Sequence, residues 1–319
     1  MFVFPDYTFT TGFFFHLTKI EILLHLKTNQ KLEFFMKRDI LGVIMNKVAL
    51  ITGASSGIGL ETALSLLKKG FTVYGAARRL SLMKKIEENG GTILYLDLTD
   101  DNSIETCVKT IIQKEKQIDI LINNSGYGLG GSIENVPIEQ AKKQFEVNVF
   151  ALIRLTQLVI PYMKKSPSSR IINISSMAGR FSSPFLGWYH ASKYAVEALT
   201  DSLRLELSSI KIKAVLIEPG LIKTPWGTIA SESIRENTKN TIYENAALNV
   251  SNFYEKNYSL QNGSASNPTV ISNAIIKAVC AKNPKTRYSI GKYSKLFIFT
   301  KKILPDRLFD FLVKKVMKM

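Results

Sequence analysis

From Lys47 onward the chain alternates short, wholly apolar runs with amphipathic stretches, and this alternation constrains the fold more than any other feature. KVALITG, FTVYGAA, TILYLDL, IDILINN, RIINIS, IKAVLIEPG and TRYSIG are rich in branched residues and end in turns, as buried strands do. Between them run helical patterns: GIGLETALSLLKKG, SLMKKIEENGG, DDNSIETCVKTIIQKEK, a long stretch from Ile138 to about Lys165, YHASKYAVEALTDSLRLELSS and NPTVISNAIIKAVCAK. Continuous apolar strands separated by helices predict a doubly wound parallel sheet of seven strands, an α/β fold covered on both faces. In the first helix Leu60, Leu64 and Leu67 share one face, with Gly70 just past its end. Ser81 is the expected N-cap of the second helix.

Ligands of such sheets bind at the carboxyl ends of the strands, so the strand–helix turns are the places to search. The first, TGASSGIG, spans Thr52–Gly59 with glycines at 53, 57 and 59. Glycine permits positive φ and close backbone approach, and the helix N-terminus that follows presents free N–H groups to phosphate. The second turn carries Arg78 and Arg79, and no acidic residue lies between Glu61 and Glu87. An arginine there accommodates a 2′-phosphate where an acidic residue would bind ribose hydroxyls, so the pair predicts NADP(H) over NAD(H). Asp97 and the NNSG stretch, with Asn124 and Gly126, follow the third and fourth strands. Each alone also reads as ordinary turn chemistry.

Ser176 ends the fifth strand, thirteen residues before Tyr189, and Lys193 follows one helical turn later. A residue and its i+4 neighbour share a helical face. A free phenol is a poor base at neutral pH, and an ammonium beside it favours the phenolate. Asn148, within the apolar QFEVNVF pattern, needs a partner if buried. His190 points about 100° away from Tyr189 on the helix and is assigned no role.

TGASSGIG, NNSG, Asn148, Ser176, Tyr189-x-x-x-Lys193 and Pro219-Gly220 occur in the order and rough spacing of the short-chain dehydrogenase/reductase family, which the chain resembles from about Met45 to Gly291. Ser125 stands where alanine is usual. VYGAARR, QFEVNVF and ISSMAGR…GWYHASK look most like its hydroxysteroid, retinol and acyl-dihydroxyacetone-phosphate reductase branches. The resemblance implies a Rossmann-type sheet, a nicotinamide cofactor and carbonyl–alcohol interconversion. Tyr189 would be the acid/base, Ser176 would hold the substrate oxygen, and Lys193 would bind the nicotinamide ribose. Asn148 would hold a relay water. It further implies that Gly53, Ser55, Ser56, Gly57, Ile58 and Gly59 meet the cofactor phosphates, and that Asp97 meets the adenine edge. Asn124 and Gly126 would line the adenosine ribose. Pro219, Ile222 and Thr224 would lie along the nicotinamide and phosphates. Homodimers or homotetramers are common in the family.

The expectation is an NADP(H)-dependent oxidoreductase of a small or lipophilic carbonyl. An acyl-dihydroxyacetone-phosphate-type lipid reductase and a non-catalytic NADPH-binding regulator are the alternatives. The formal charge of +16 favours acidic partners, but no nucleic-acid-binding module is recognisable. Cys107 and Cys280 are read as buried, reduced thiols of a cytoplasmic protein, and no spacing of Cys or His suggests a metal. No apolar run long enough for a transmembrane span is read from the sequence. Three segments fall outside the alternation. Residues 1–44 form an extension ahead of a natural start at Met45, expected to be disordered or a start-site artefact. Residues 221–267 are expected to be a substrate lid, with Trp226, Ile229, Tyr243 and Phe253 as pocket candidates. Residues 292–319 form a basic apolar tail. It suits an anionic membrane surface, or packing on the domain or a second subunit.

Overall fold

The computed structural model describes residues 47–164, 168–259 and 262–319; the N-terminal extension 1–44 lies outside them. Seven parallel strands form one sheet in the order β3-β2-β1-β4-β5-β6-β7. They are β1 (Val48–Thr52), β2 (Thr72–Ala77), β3 (Thr92–Tyr95), β4 (Ile120–Asn123), β5 (Arg170–Ile174), β6 (Lys213–Pro219) and β7 (Arg287–Ile290). Burial of every residue of β1, β4 and β5 explains why these strands read as unbroken apolar runs, since helices cover both faces of the sheet. The strand order reverses between β1 and β4. Such a switch point opens a crevice at the strands' carboxyl ends.

The connecting helices are α1 (Gly57–Leu67), α2 (Lys84–Glu88), α3 (Asp101–Glu115), α4 (Ile138–Met163), α5 (Gly187–Glu206), α6 (Trp226–Glu236), α7 (Glu244–Tyr258) and α8 (Thr269–Cys280). Two more, α9 (Ser294–Ile303) and α10 (Asp306–Met317), end the chain. By length and composition α4 is apolar enough to cross a membrane, which the sequence reading did not anticipate. Its Ala151, Leu155, Val159 and Met163 pack in the same core as Leu50, Leu121 and Ile171 of the sheet. A stripe that must cover a sheet accounts for that composition equally well.

Several local expectations are corrected. The buried stripe of α1 is Gly59, Thr62, Ala63 and Leu66, while Leu60, Leu64 and Leu67 are half-buried. Small residues let this helix lie close to the sheet, and its leucines take the flanks. Ser81 caps no helix: Leu80–Met83 forms a 3₁₀ turn that leads into α2. Cys107 is buried but Cys280 is exposed, because it is the last residue of α8.

The segment set apart as a lid folds as α6 and α7. The tail, set apart from residue 292, shares a core with them. Phe309, Val313 and Met317 of α10 are buried together with Ala230, Ile234, Val250 and Tyr254. Burial of each such side chain stabilises the fold by roughly 1.5–3 kcal/mol. The domain boundary expected after Gly291 therefore has no counterpart in the packing: Asn46–Met319 is one compact unit.

Candidate active site

The glycine turn joins β1 to α1. Gly53 and Gly57 have φ of +65° and +54°, the left-handed region that side chains disfavour. At Gly59 the reason for glycine is space: a Cβ would sit 2.3 Å from the Gly53 carbonyl oxygen. Ser56, the residue before α1, is extended and makes no side-chain cap bond, so the first amides of the helix face the cavity uncapped. β4 is fastened to this turn. Thr52 Oγ1 accepts from the amides of Asn124 and Ser125, both at 3.0 Å, and Asn124 Nδ2 donates to the Thr52 carbonyl at 3.0 Å. Asn124 thus holds the turn through its side chain, and Gly126 follows on the cavity wall.

Arg78 and Arg79 lie exposed at the end of β2. Asp97, after β3, accepts from the Thr99 amide at 3.0 Å and its hydroxyl at 2.8 Å. Those bonds, with Arg78 nearby, hold its carboxyl below the usual range. On the other side, Pro219 ends β6. Thr224 approaches the glycine turn, since a Cβ on Gly57 would lie 2.8 Å from its methyl. Ile222 is buried and pairs with Ser266. Ser55, Ile58, Arg78, Arg79, Asp97 and Thr224 all border the same cavity, whose volume is about 770 Å³. Positive-φ glycines, uncapped helix amides and a guanidinium pair fit the phosphates and adenosine end of a dinucleotide.

The cavity continues over β5 to Ser176, Tyr189 and Lys193. Tyr189 and Lys193 are 7% and 5% exposed, and Ser176 Oγ accepts from the Ala178 amide at 3.1 Å. Lys193 Nζ donates to the Ile174 carbonyl at 2.8 Å and lies 5.9 Å from the centre of the Tyr189 ring. Burial moves both groups toward their neutral forms. It lowers the Lys193 ammonium to about 8, with Glu197 opposing. It raises the Tyr189 phenol above its ordinary value, with Ser176 opposing. The sequence reading had Lys193 pulling Tyr189 down. In the structure burial, with Tyr254 nearby, is what moves the phenol, and it moves it up, toward its neutral form.

Asn148 is fully buried within a π-helical turn of α4 (Glu146–Phe150). Its Nδ2 donates to the Tyr127 carbonyl at 3.0 Å and to Ser192 Oγ at 3.1 Å, and its Oδ1 accepts from the Tyr127 amide at 3.2 Å. A Cβ on Gly126 would come within 3.2 Å of Asn148 Oδ1 and 3.6 Å of Lys193 Nζ, so both side chains converge there. His190 borders the cavity, but both ring nitrogens are engaged. Its Nδ1–H faces the carbonyls of Ala178 and Phe181 at 2.9 and 2.6 Å, and its Nε2 accepts from the Ser183 hydroxyl at 2.8 Å. Burial lowers it to about 4, which leaves it a neutral clamp on that loop.

Beyond Tyr189 the cavity wall is aromatic. Trp226 sits 5.0 Å from the Tyr189 ring, 5.4 Å from Tyr258 and 6.0 Å from Tyr254. Its indole N–H is buried without a hydrogen-bond partner among the described residues. Ile229 and Phe253 also line the wall. Tyr243, expected there, instead stacks edge-on against Phe185 and donates to Glu134. Sequence reasoning missed Tyr293, Phe297, Val316 and Met317, which the tail brings to the wall.

It also missed a buried ion cluster one turn beyond Lys193. Glu197 and Glu218 are 5% and 2% exposed. Arg287 of β7 reaches Glu197 at 3.0 Å and Glu218 at 3.4 Å, and also pairs with Asp201. Ser289 Oγ donates to Glu218 at 2.5 Å. Burial beside Glu218 raises the Glu197 carboxyl. The one available signal was a glutamate inside the apolar run IKAVLIEPG.

Comparison with known proteins gives a consistent picture. A family model described as short chain dehydrogenase matches residues 47–234. The chain is 40% identical to a probable short-chain type dehydrogenase/reductase, VdlC, of Helicobacter pylori, over 84% of this chain and 97% of that one. It is 36% identical to a 3-ketodihydrosphingosine reductase of Bacteroides thetaiotaomicron (84% and 97% covered). It is 34% identical to an NADPH-dependent 3-dehydrocapnine reductase of Ornithobacterium rhinotracheale (85% and 98%). Among solved structures, a short-chain dehydrogenase from Streptomyces avermitilis superposes with a TM-score of 0.67 at 25% identity, covering 86% of this chain and 97% of that one.

Proposed function

The chain belongs to the short-chain dehydrogenase/reductase family and is an oxidoreductase, and from that premise we propose that it uses NADPH to reduce a ketone on a long-chain lipid. One observation carries the reading: a single cavity of about 770 Å³ runs from the glycine turn, past Tyr189 and Ser176, to an aromatic wall. The first part has charges and amides for a phosphorylated dinucleotide. The last part offers rings and aliphatic side chains, with the Trp226 N–H as an unpaired donor. Sugars need many polar partners, whereas apolar chains need a dry wall of this kind. Two relatives are named as a 3-ketodihydrosphingosine reductase and an NADPH-dependent 3-dehydrocapnine reductase, and those names support the same reading. Arg78 and Arg79 favour NADPH through its 2′-phosphate.

When bound, the nicotinamide supplies the hydride that reaches the carbonyl carbon. The chain's own residues do the rest. Ser176 and Tyr189, which border the same cavity, present two hydroxyl donors to the carbonyl oxygen. Tyr189, held neutral by burial, gives its proton to that oxygen as negative charge develops there. Lys193, fixed by the Ile174 carbonyl, then faces the phenolate left behind with its positive charge. Asn148 locks the Tyr127–Gly126 backbone against Lys193.

The test is NADPH oxidation by purified protein with a 3-keto long-chain amine, a short water-soluble ketone and a keto sugar, with NADH in parallel. The proposal expects the highest kcat/KM for the long-chain ketone with NADPH. A higher value for the sugar, or for NADH, would refute it.

A further inference from the structure

The outer faces of α9 and α10 carry an apolar ridge that the fold leaves uncovered. Leu296, Phe299 and Ile303 recur at i, i+3 and i+7 on α9, and Phe299 is 63% exposed. On α10, Leu308 and Phe311 continue the ridge, with Phe311 62% exposed, and Met319 just past the helix is exposed too. Isolated exposed apolar residues are ordinary, but a contiguous ridge marks a contact surface. The inner faces of the same helices are satisfied. Phe309, Val313 and Met317 are buried, and Phe297 stacks on Phe181 at 5.3 Å.

Cations surround the ridge. Lys295, Lys302, Arg307, Lys314, Lys315 and Lys318 are all exposed, and none forms an ion pair among the described residues. Of the two acids on α10, Asp306 is occupied by Lys301 at 2.5 Å. Apolar side chains framed by unpaired lysines match a bilayer, whose acyl region takes the rings while anionic headgroups meet the ammonium groups. A second copy of this chain would bring lysines against lysines across a two-fold contact, so charge complementarity favours lipid.

The cavity reaches the surface at this ridge. Val316 is 40% exposed and also lines the cavity, as does the half-exposed Tyr293. We propose that α9 and α10 dock on an anionic membrane surface, placing the mouth of the cavity against the lipid from which the substrate enters. The entry route rests on the long-chain ketone reading above; the docking surface does not.

The experiment is co-sedimentation of the full chain with vesicles of phosphatidylcholine alone and of phosphatidylcholine mixed with phosphatidylglycerol. The wild type is expected to pellet with the anionic vesicles and to be released by salt. Phe299→Asp with Phe311→Asp, and separately Lys314→Glu with Lys315→Glu, should each weaken binding by about tenfold or more. None of these residues lines the cavity. NADPH-dependent turnover of a short soluble ketone should therefore be unchanged, while turnover of a vesicle-embedded ketone falls. A wild type that stays in the supernatant, or variants that bind like the wild type, would overturn the docking. So would Phe variants that only convert a dimer to a monomer without vesicles, because the ridge would then belong to a second copy. If the sedimentation pattern holds but no ketone of either kind is reduced, the docking stands and the substrate reading fails.

Discussion

Lys193 makes a prediction in which catalysis and stability pull apart. It is 5% exposed, and burial lowers its ammonium from the ordinary lysine value of 10.5 to about 8. At about 1.36 kcal/mol per pH unit, that difference amounts to about 3 kcal/mol. Below pH 8 both the folded and the unfolded chain hold the proton, and the folded state bears the full cost of a buried charge. Between 8 and 10.5 the folded state has released the proton and the unfolded state still binds it, so stability rises with pH. Above 10.5 both states are neutral and the rise ends. Lys193→Met removes the titration without creating a void. The assay is urea unfolding of wild type and variant from pH 7.5 to 10.5. Taking the difference between them cancels the titration of all other groups. The wild type should gain about 1 kcal/mol or more per pH unit on the variant above pH 8, while its own kcat for reduction falls as the ammonium is lost. A difference that stays flat across this range would mean that Lys193 keeps an ordinary pKa, and the claim that burial sets its proton would be wrong.

Tyr189→Phe should remove turnover while leaving the NADPH dissociation constant within about twofold of wild type, because the ring keeps its place and only the acid is lost; fluorescence titration beside a turnover assay checks both. Arg78→Ala combined with Arg79→Ala should weaken NADPH at least about tenfold and NADH much less, since a charge-assisted phosphate contact contributes about 1.5–3 kcal/mol, and equal losses in the two titrations would contradict the role. Gly59→Ala must push a Cβ away from the Gly53 oxygen, 2.3 Å distant. Overpacking costs about 1–3 kcal/mol and the helix regains about 1, so calorimetry should show a small fall in Tm beside a large loss of NADPH affinity. Phe309→Ala should cost about 3–5 kcal/mol if the tail belongs to the core, whereas a change below 1 kcal/mol in denaturant unfolding would mean that α10 packs only weakly.

The sheet was legible because its central strands are buried on both faces, which forces unbroken apolar runs such as VALIT and RIINI. The glycine turn was legible for a different reason: the close approach of Gly59 to Gly53 excludes any side chain. The Tyr189–Lys193 spacing shows on the page because one helical turn is a fixed number of residues. The direction of the Tyr189 pKa was not legible. It depends on how much protein surrounds the ring, and Trp226, 37 positions later, is part of that surrounding. The leucine face read in α1 is not its buried stripe: close packing on the sheet favoured Gly59, Thr62 and Ala63, with Leu66, over the flanking leucines. The tail's inner and outer faces have the same composition, so only the contacts of Phe309, Val313 and Met317 separate core from surface. The ion cluster joins Glu197, Glu218 and Arg287 from three separate elements, and no local pattern could bring them together.

That cluster also sets an order of assembly during synthesis. A ribosome emits Tyr189, Lys193 and the glycine turn well before it reaches β7. Until Arg287 emerges, Glu197 and Glu218 have only the exposed Arg180, at 3.7 and 3.8 Å, as a cationic neighbour, and the closer guanidinium at 3.0 and 3.4 Å is still to come. One of the last strands made therefore supplies the tighter of the two cationic contacts to the catalytic helix. A nascent chain that already displays every motif of the site still lacks the strand that tightens the far end of its catalytic helix and the two helices that complete the cavity wall.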